Sequence, residues 1–214
     1  MLINGQDEIS PADGSTSPRV LTVLSSVLER LVTRNDQLVS ESVVLESSKG
    51  LSVFHGVRAP SISISKYLER IYKYTSCSPS CFIVGFIYID RLAHRHPDSL
   101  VLSLNVHRLI VTSVMVASKV LDDVHYNNAF FARVGGVSNA ELNRLELELL
   151  FMLDFGVMVS ARVFESYCLH LEKEMIMWSG VEQQRIERTL SNPPTEEVDI
   201  STHSSSPCPQ EEAD

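Results

Sequence analysis

The segment Asn105–Asp122, NVHRLIVTSVMVASKVLD, restricts the fold more than any other part of the chain. Wound at about 100° per residue, its LIVTSVMVAS interior is apolar on most sides, and such a helix is stable only where other elements enclose it. Arg108, Thr112, Met115 and Lys119 fall on one narrow stripe. Lys119 is therefore expected to end the single stripe that leaves the core, near the helix C-terminus, where the dipole favours a cation.

The rest of the chain supplies the enclosing helices. Val20, Leu24, Val27, Leu28, Leu31 and Val32 recur at three- and four-residue steps and predict an amphipathic helix ending before Asn35. The following stretch to Ala59 reads as a second short helix and a loop. Ile64, Leu68, Ile71, Tyr72 and Tyr74 form the apolar stripe of a helix from Ser61 to Thr75. Ser78 is placed to cap the next helix, with Pro79 at its first position, and His96-Pro97 stops it after Arg95. Asn105 is placed to cap the central helix, and HYNNAFFARVGG gives a loop and a short helix closed by Gly135-Gly136. Ser138-Asn-Ala-Glu141 matches a capping box ahead of a helix that points Leu142, Leu145, Leu149, Met152 and Leu153 inward. A final helix runs from a Ser160 cap through Trp178. No strand signal is present, so the expectation is all-α: five helices around a buried third, with an extra helix at each end.

At 214 residues with 44% apolar and 21% charged residues, the composition suits one globular domain with extensions. The apolar runs are shorter than the roughly 20 residues of a bilayer span. MLINGQDEIS lacks the features of a secretory signal, so the expected location is nuclear or cytoplasmic, with no membrane contact. Cys77, Cys81, Cys168 and Cys208 are then reduced thiols. The CxxxC of Cys77 and Cys81 has no second pair to complete a metal site. The net charge is −9, but residues 191–214 hold six carboxylates and no Lys or Arg, leaving −3 for the rest. Nucleic acid is not an expected partner of such a chain. Residues 1–17 and 191–214 read as disordered from their composition. Ser10-Pro11, Ser17-Pro18 and Ser206-Pro207 are acceptor dipeptides for a proline-directed kinase, and equally ordinary loop sequence.

Glu146 lies about 40° from Leu142 on the wheel, at the rim of the apolar stripe. It can pair with Lys119 or Arg144. Alternatively, Lys119 and Glu146 can grip a partner's backbone, one donating to carbonyls and the other accepting from amides. Charge-assisted bonds of that kind contribute about 1.5–3 kcal/mol each where water is excluded.

YIDRLAHR at 88–95, VASKVLDD at 116–123 and LNRLELELLFMLDFGV at 142–157 resemble three successive signatures of the cyclin box. The similarity is greatest to the plant U- and P-type cyclins, which are similar to the fungal phosphate-pathway cyclins. The resemblance implies a single five-helix box at 58–158, preceded by a helical extension at 18–57 and followed by a trailing helix at 159–190. It implies a non-catalytic regulator that binds and activates a cyclin-dependent kinase, an A-type one being the expected partner, in cell-cycle or nutrient-linked control. Lys119 and Glu146 match the two residues that contact the kinase, whereas Asp90 and Arg91 are read as structural.

Three departures from the wider family stand out. APSISISKYLER replaces the Arg-Ala-Ile-Leu type signature and lacks its tryptophan, which puts that substrate-docking patch in doubt. The usual arginine partner of Asp90 is missing with it, leaving Arg58 as a weak replacement. Too little chain follows Trp178 for a second box. The rival reading is a helical adaptor that uses the same fold without a kinase. A metalloenzyme using His94, His96, His107 and His125 is disfavoured because no Glu-x-x-His motif is present. No cofactor, metal or small-molecule substrate is expected.

Overall fold

The computed structural model describes residues 2–3, 17–41 and 51–191, with side chains placed to Ile176. Seven α-helices run in chain order among the described residues: α1 (Arg19–Glu41), α2 (Ile64–Thr75), α3 (Pro79–Arg95), α4 (Val106–Leu121), α5 (Asn128–Gly135), α6 (Asn139–Met152) and α7 (Ala161–Ser191). A single 3-10 turn covers Leu51–Phe54. The fold is all-α. It has one addition to the sequence reading, a two-residue parallel ladder of Leu2–Ile3 with His125–Tyr126. The chain divides into two compact units, Met1–Ile176, which contains the core, and Met177–Asp214.

Helix α4 is the centre of the core. It packs against α2, α3, α5 and α6, and every residue from Leu109 to Ser118 is buried. The expected escaping stripe does not exist, because Thr112 and Met115 are fully buried. Hydroxyls make this possible: Thr112 Oγ1 donates to the Arg108 carbonyl at 2.7 Å and Ser118 Oγ to the Met115 carbonyl at 2.8 Å. Both polar groups are thus satisfied inside their own helix and need no water. Only the ends, Arg108 and Lys119–Leu121, reach the surface. Helix α3 comes especially close at Gly85, where a Cβ would lie 3.2 Å from the Val114 backbone nitrogen.

Helix α1 contributes Leu21, Leu24 and Leu28 to this core and packs on α2 and α3. It continues past Asn35 to Glu41, where the sequence suggested a break. Asn35 is buried and its amide donates to the Val101 carbonyl at 2.9 Å, while Asp36 Oδ1 accepts from Ser103 N at 3.2 Å. These two polar residues satisfy the loop that enters α4 instead of ending their own helix. Asn105 works from the other side of that loop, accepting from Leu102 N at 2.8 Å and donating to the Leu100 carbonyl at 2.9 Å. It precedes α4 without making a side-chain cap bond.

Ser78 is likewise a positional cap of α3 with Pro79 behind it, and its hydroxyl lies 3.3 Å from Cys81 Sγ. The functional caps are Ser63, Asn127 and Ser138, which accept from Lys66 N, Phe130 N and Glu141 N. Ser160 Oγ accepts from Val163 N at 3.4 Å at the start of α7. After α6 the chain turns through Asp154 and Phe155, both left-handed at φ 51° and 53°, a conformation that costs a non-glycine residue roughly 1–2 kcal/mol.

The core makes two outcomes measurable. Leu109 is fully buried, so Leu109→Ala is expected to lower unfolding free energy by about 2–5 kcal/mol in urea titrations. His107 Nε2 donates to the Ile62 carbonyl at 2.9 Å, and Nδ1 is buried without a partner. Burial holds this imidazole below its ordinary 6.5, against the Ile62 hydrogen bond, and Arg108 adds to the lowering. Protons therefore bind the unfolded imidazole first. The contribution is complete above pH 6.5 and is lost as pH falls from there towards the folded-state value. A His107→Gln variant should show a flatter acid-side stability profile.

Candidate partner-docking site

Lys119 leaves the core at the last turn of α4, and Glu146 faces it from α6. Its Nζ donates to Glu146 Oε1 at 2.5 Å. Of the two pairings open to Glu146 in the sequence, the fold selects the one with Lys119. The second carboxylate oxygen is engaged by a residue the sequence reading passed over: Asn128 Nδ2 donates to Glu146 Oε2 at 2.6 Å and to Asn143 Oδ1 at 2.7 Å. Asn127 has already capped α5, so the double asparagine before FF divides its work between a cap and a tertiary bond. That spare second asparagine was the available signal.

The side chains of Lys119 and Glu146 are 27% and 17% exposed, so the pair is neither a solvated surface bridge nor a core pair. Bridges fully in water contribute at most about 1 kcal/mol. Here a fixed carboxylate and a fixed ammonium sit side by side at the surface, each with donor or acceptor capacity left. Apolar side chains follow each of them in sequence. Val120, Leu121 and Val124 are exposed beyond Lys119, and Leu147 and Phe151 are exposed on α6, about 100° and 140° round the helix from Glu146. Phe151 is 66% exposed and its ring meets Phe155 edge-on at 5.3 Å. The left-handed turn at 154–155 carries that second ring. LELELLFM holds more apolar residues than one buried stripe of α6 can take, which is how the extra face is visible in the sequence.

Asp90 and Arg91 lie elsewhere, on α3, and face the chain that follows α6. Asp90 Oδ2 accepts from the Tyr167 hydroxyl at 2.5 Å and lies 3.3 Å from His94 Nδ1. Its partner is Tyr167 of α7, where the sequence offers only Arg58 as a weak candidate. Burial, with the Asp90 hydrogen bond second, pushes the Tyr167 phenol up to about 12. Arg91 Nη1 donates to the carbonyls of Gly156 at 2.6 Å and Met158 at 3.2 Å. Tyr88 OH adds a bond to the Val157 carbonyl at 2.7 Å. YIDR thus fixes the 156–158 segment and the start of α7.

Among the described residues, no three His, Cys, Asp or Glu side chains are grouped to hold a metal. His94, His96, His107 and His125 each approach a different backbone carbonyl. Cys77, Cys81 and Cys168 are free thiols, and Cys208 lies outside the described residues. Cys81 Sγ donates to Asp122 Oδ2 at 3.2 Å. The hydrogen bond it shares with Cys77, followed by burial, raises its own pKa, and the same bond lowers that of Cys77. No helix among the described residues is long and apolar enough to cross a membrane.

Comparison with known proteins agrees with this architecture. The cyclin family model matches residues 18–157, beginning one residue before α1. The chain is 67% identical over 177 residues to Cyclin-U1-1 of Arabidopsis thaliana, covering 80% of this chain and 83% of that one. It is 49% identical over 163 residues to Cyclin-U4-1 of the same plant, covering 76% and 79%. It is 49% identical over 168 residues to Cyclin-P3-1 of Oryza sativa subsp. japonica, covering 78% and 70%. With a family match over most of its described length and an all-α core built around α4, the chain belongs to the cyclin family, a membership that implies a regulatory, kinase-binding role.

Proposed function

We propose that this chain is a non-catalytic subunit that binds and activates a cyclin-dependent kinase, an A-type kinase being the first partner to test, in cell-cycle or nutrient-linked control. The observation that carries the reading is the Lys119–Glu146 pair, partly exposed at the surface, on a chain whose α6 and following turn also expose the apolar residues Leu147, Phe151 and Phe155. A partner segment laid over this surface with backbone groups left free outside a helix, or at a helix end, offers carbonyls to Lys119 and amides to Glu146. Docking against the kinase αC helix moves that helix inward, pairs its glutamate with the ATP-binding lysine and opens the activation loop. Activation follows because the cyclin binds the active arrangement more tightly than the inactive one. Asp90 and Arg91 serve this surface indirectly, by holding the 156–158 segment next to Phe155.

Binding of purified chain to an A-type cyclin-dependent kinase, with kinase activity as a second readout, tests the reading. Lys119→Ala and Glu146→Ala are each expected to weaken binding about ten- to a hundredfold. Phe151→Ala, which removes an exposed apolar anchor, should weaken it by at least about tenfold. Wild-type affinity in the Lys119→Ala/Glu146→Ala double variant, with helicity intact by circular dichroism, refutes these roles. No binding of any cyclin-dependent kinase where a known cyclin binds would favour the adaptor reading.

A further inference from the structure

A second surface lies along α2, away from the residues assigned to the kinase. Lys66, Arg70 and Lys73 fall within an arc of about 60° on this helix, spread over about 10 Å of its length. All three are exposed, and none makes an ion pair among the described residues. They line an open groove of about 510 Å³ whose other walls are Glu69, Tyr74 and Val134 of α5. Three cations against one carboxylate make a locally positive groove on a chain of net charge −9. Val134 is buried and gives the groove an apolar floor, while Tyr74 is half-buried at its edge. No residue of α4 or α6 takes part.

We infer that this groove docks a phosphoserine- or phosphothreonine-bearing segment of a protein partner. Arg70 stands between the two lysines and presents a planar fork that matches two phosphate oxygens. Lys66 and Lys73 act as point charges on either side, placed for carboxylates that flank the phosphorylated residue. A length of about 10 Å spans about three residues of extended chain, which suits a short linear motif and is too short to follow a nucleic-acid backbone. The overall negative charge of the chain also disfavours a long polyanion. Calling the bound segment a kinase substrate rests on the reading of the chain as a kinase regulator; the phosphopeptide site itself does not.

The experiment uses the full chain without any kinase and a labelled peptide carrying one phosphoserine between glutamates, followed by fluorescence anisotropy. The phosphopeptide is expected to bind at least about tenfold more tightly than its unphosphorylated twin, and more weakly as salt rises. Arg70→Ala should cost about ten- to a hundredfold, and Lys66→Ala/Arg70→Ala/Lys73→Ala should abolish binding with helicity unchanged. Glu69→Gln should strengthen it severalfold by removing the opposing charge. Equal affinity for the two peptides, or unchanged binding by the triple variant, overturns the proposal. Tighter binding of a single-stranded oligonucleotide through the same three cations, or displacement by inorganic phosphate at matching concentration, overturns it as well. The Lys119→Ala variant should keep full phosphopeptide binding, so phosphopeptide binding by a chain that captures no kinase refutes the kinase reading and leaves this one standing.

Discussion

The burial of α4 on every side is the constraint from which the rest of this molecule follows. A sixteen-residue helix that is apolar around its circumference is unstable in water, and each aliphatic side chain gains about 1.5–3 kcal/mol only when neighbours close over it. Four helices do so. The enclosure leaves α4 two exits, Arg108 at one end and Lys119 at the other, and each meets a carboxylate from α6: Arg108 with Glu141 at 2.7 Å and Lys119 with Glu146 at 2.5 Å. The two pairs set the register of α6 along α4. Packing thereby decides where charge can reach the surface, and the Lys119–Glu146 pair stands at one of only two such places on this helix.

The same enclosure creates a polar problem at the entrance to α4, where a buried loop must satisfy its backbone groups. The chain solves it with side chains from afar. Asn35 reaches Val101 across 66 positions, and Asn105 turns back on the residues before it. α1 is therefore more than an added layer: its C-terminal half supplies hydrogen bonds that the central helix needs at its start.

What the sequence revealed and what it concealed divides along the range of the interactions. Helical periodicity and the Ser138 cap depend on neighbours within a turn or two, and they placed α2 through α6 and the start of α7 within a few residues, while α7 runs on past Trp178 to Ser191. The stripe through Thr112 and Met115 misled because a hydroxyl counts as polar on a wheel, although in a helix it can bond the carbonyl four residues back and stay dry. Asn35 resembled a helix stop because its real partner lies on a distant loop. Tyr167 was invisible as the partner of Asp90 for the same reason, since a phenol on a trailing helix carries no spacing signal. The Lys119–Glu146 pair was legible as two rim positions, whereas Asn128, which holds the second oxygen, was signalled only by being the asparagine left over after Asn127 caps α5.

The engagement of Glu146 by two donors in the free chain has a consequence for selectivity. A partner docking as proposed does not meet bare charges; it must replace the bonds that Lys119, Asn128 and Glu146 already make with one another. A surface that offers carbonyls without amides, or the reverse, separates the pair and strands one ion in a water-poor contact, at a cost larger than the bond it gains. Only a ligand that presents both complements in register exchanges bonds without loss. In the proposed docking the cluster therefore acts as a filter against half-matched partners, a property that arises from its being paired before anything binds.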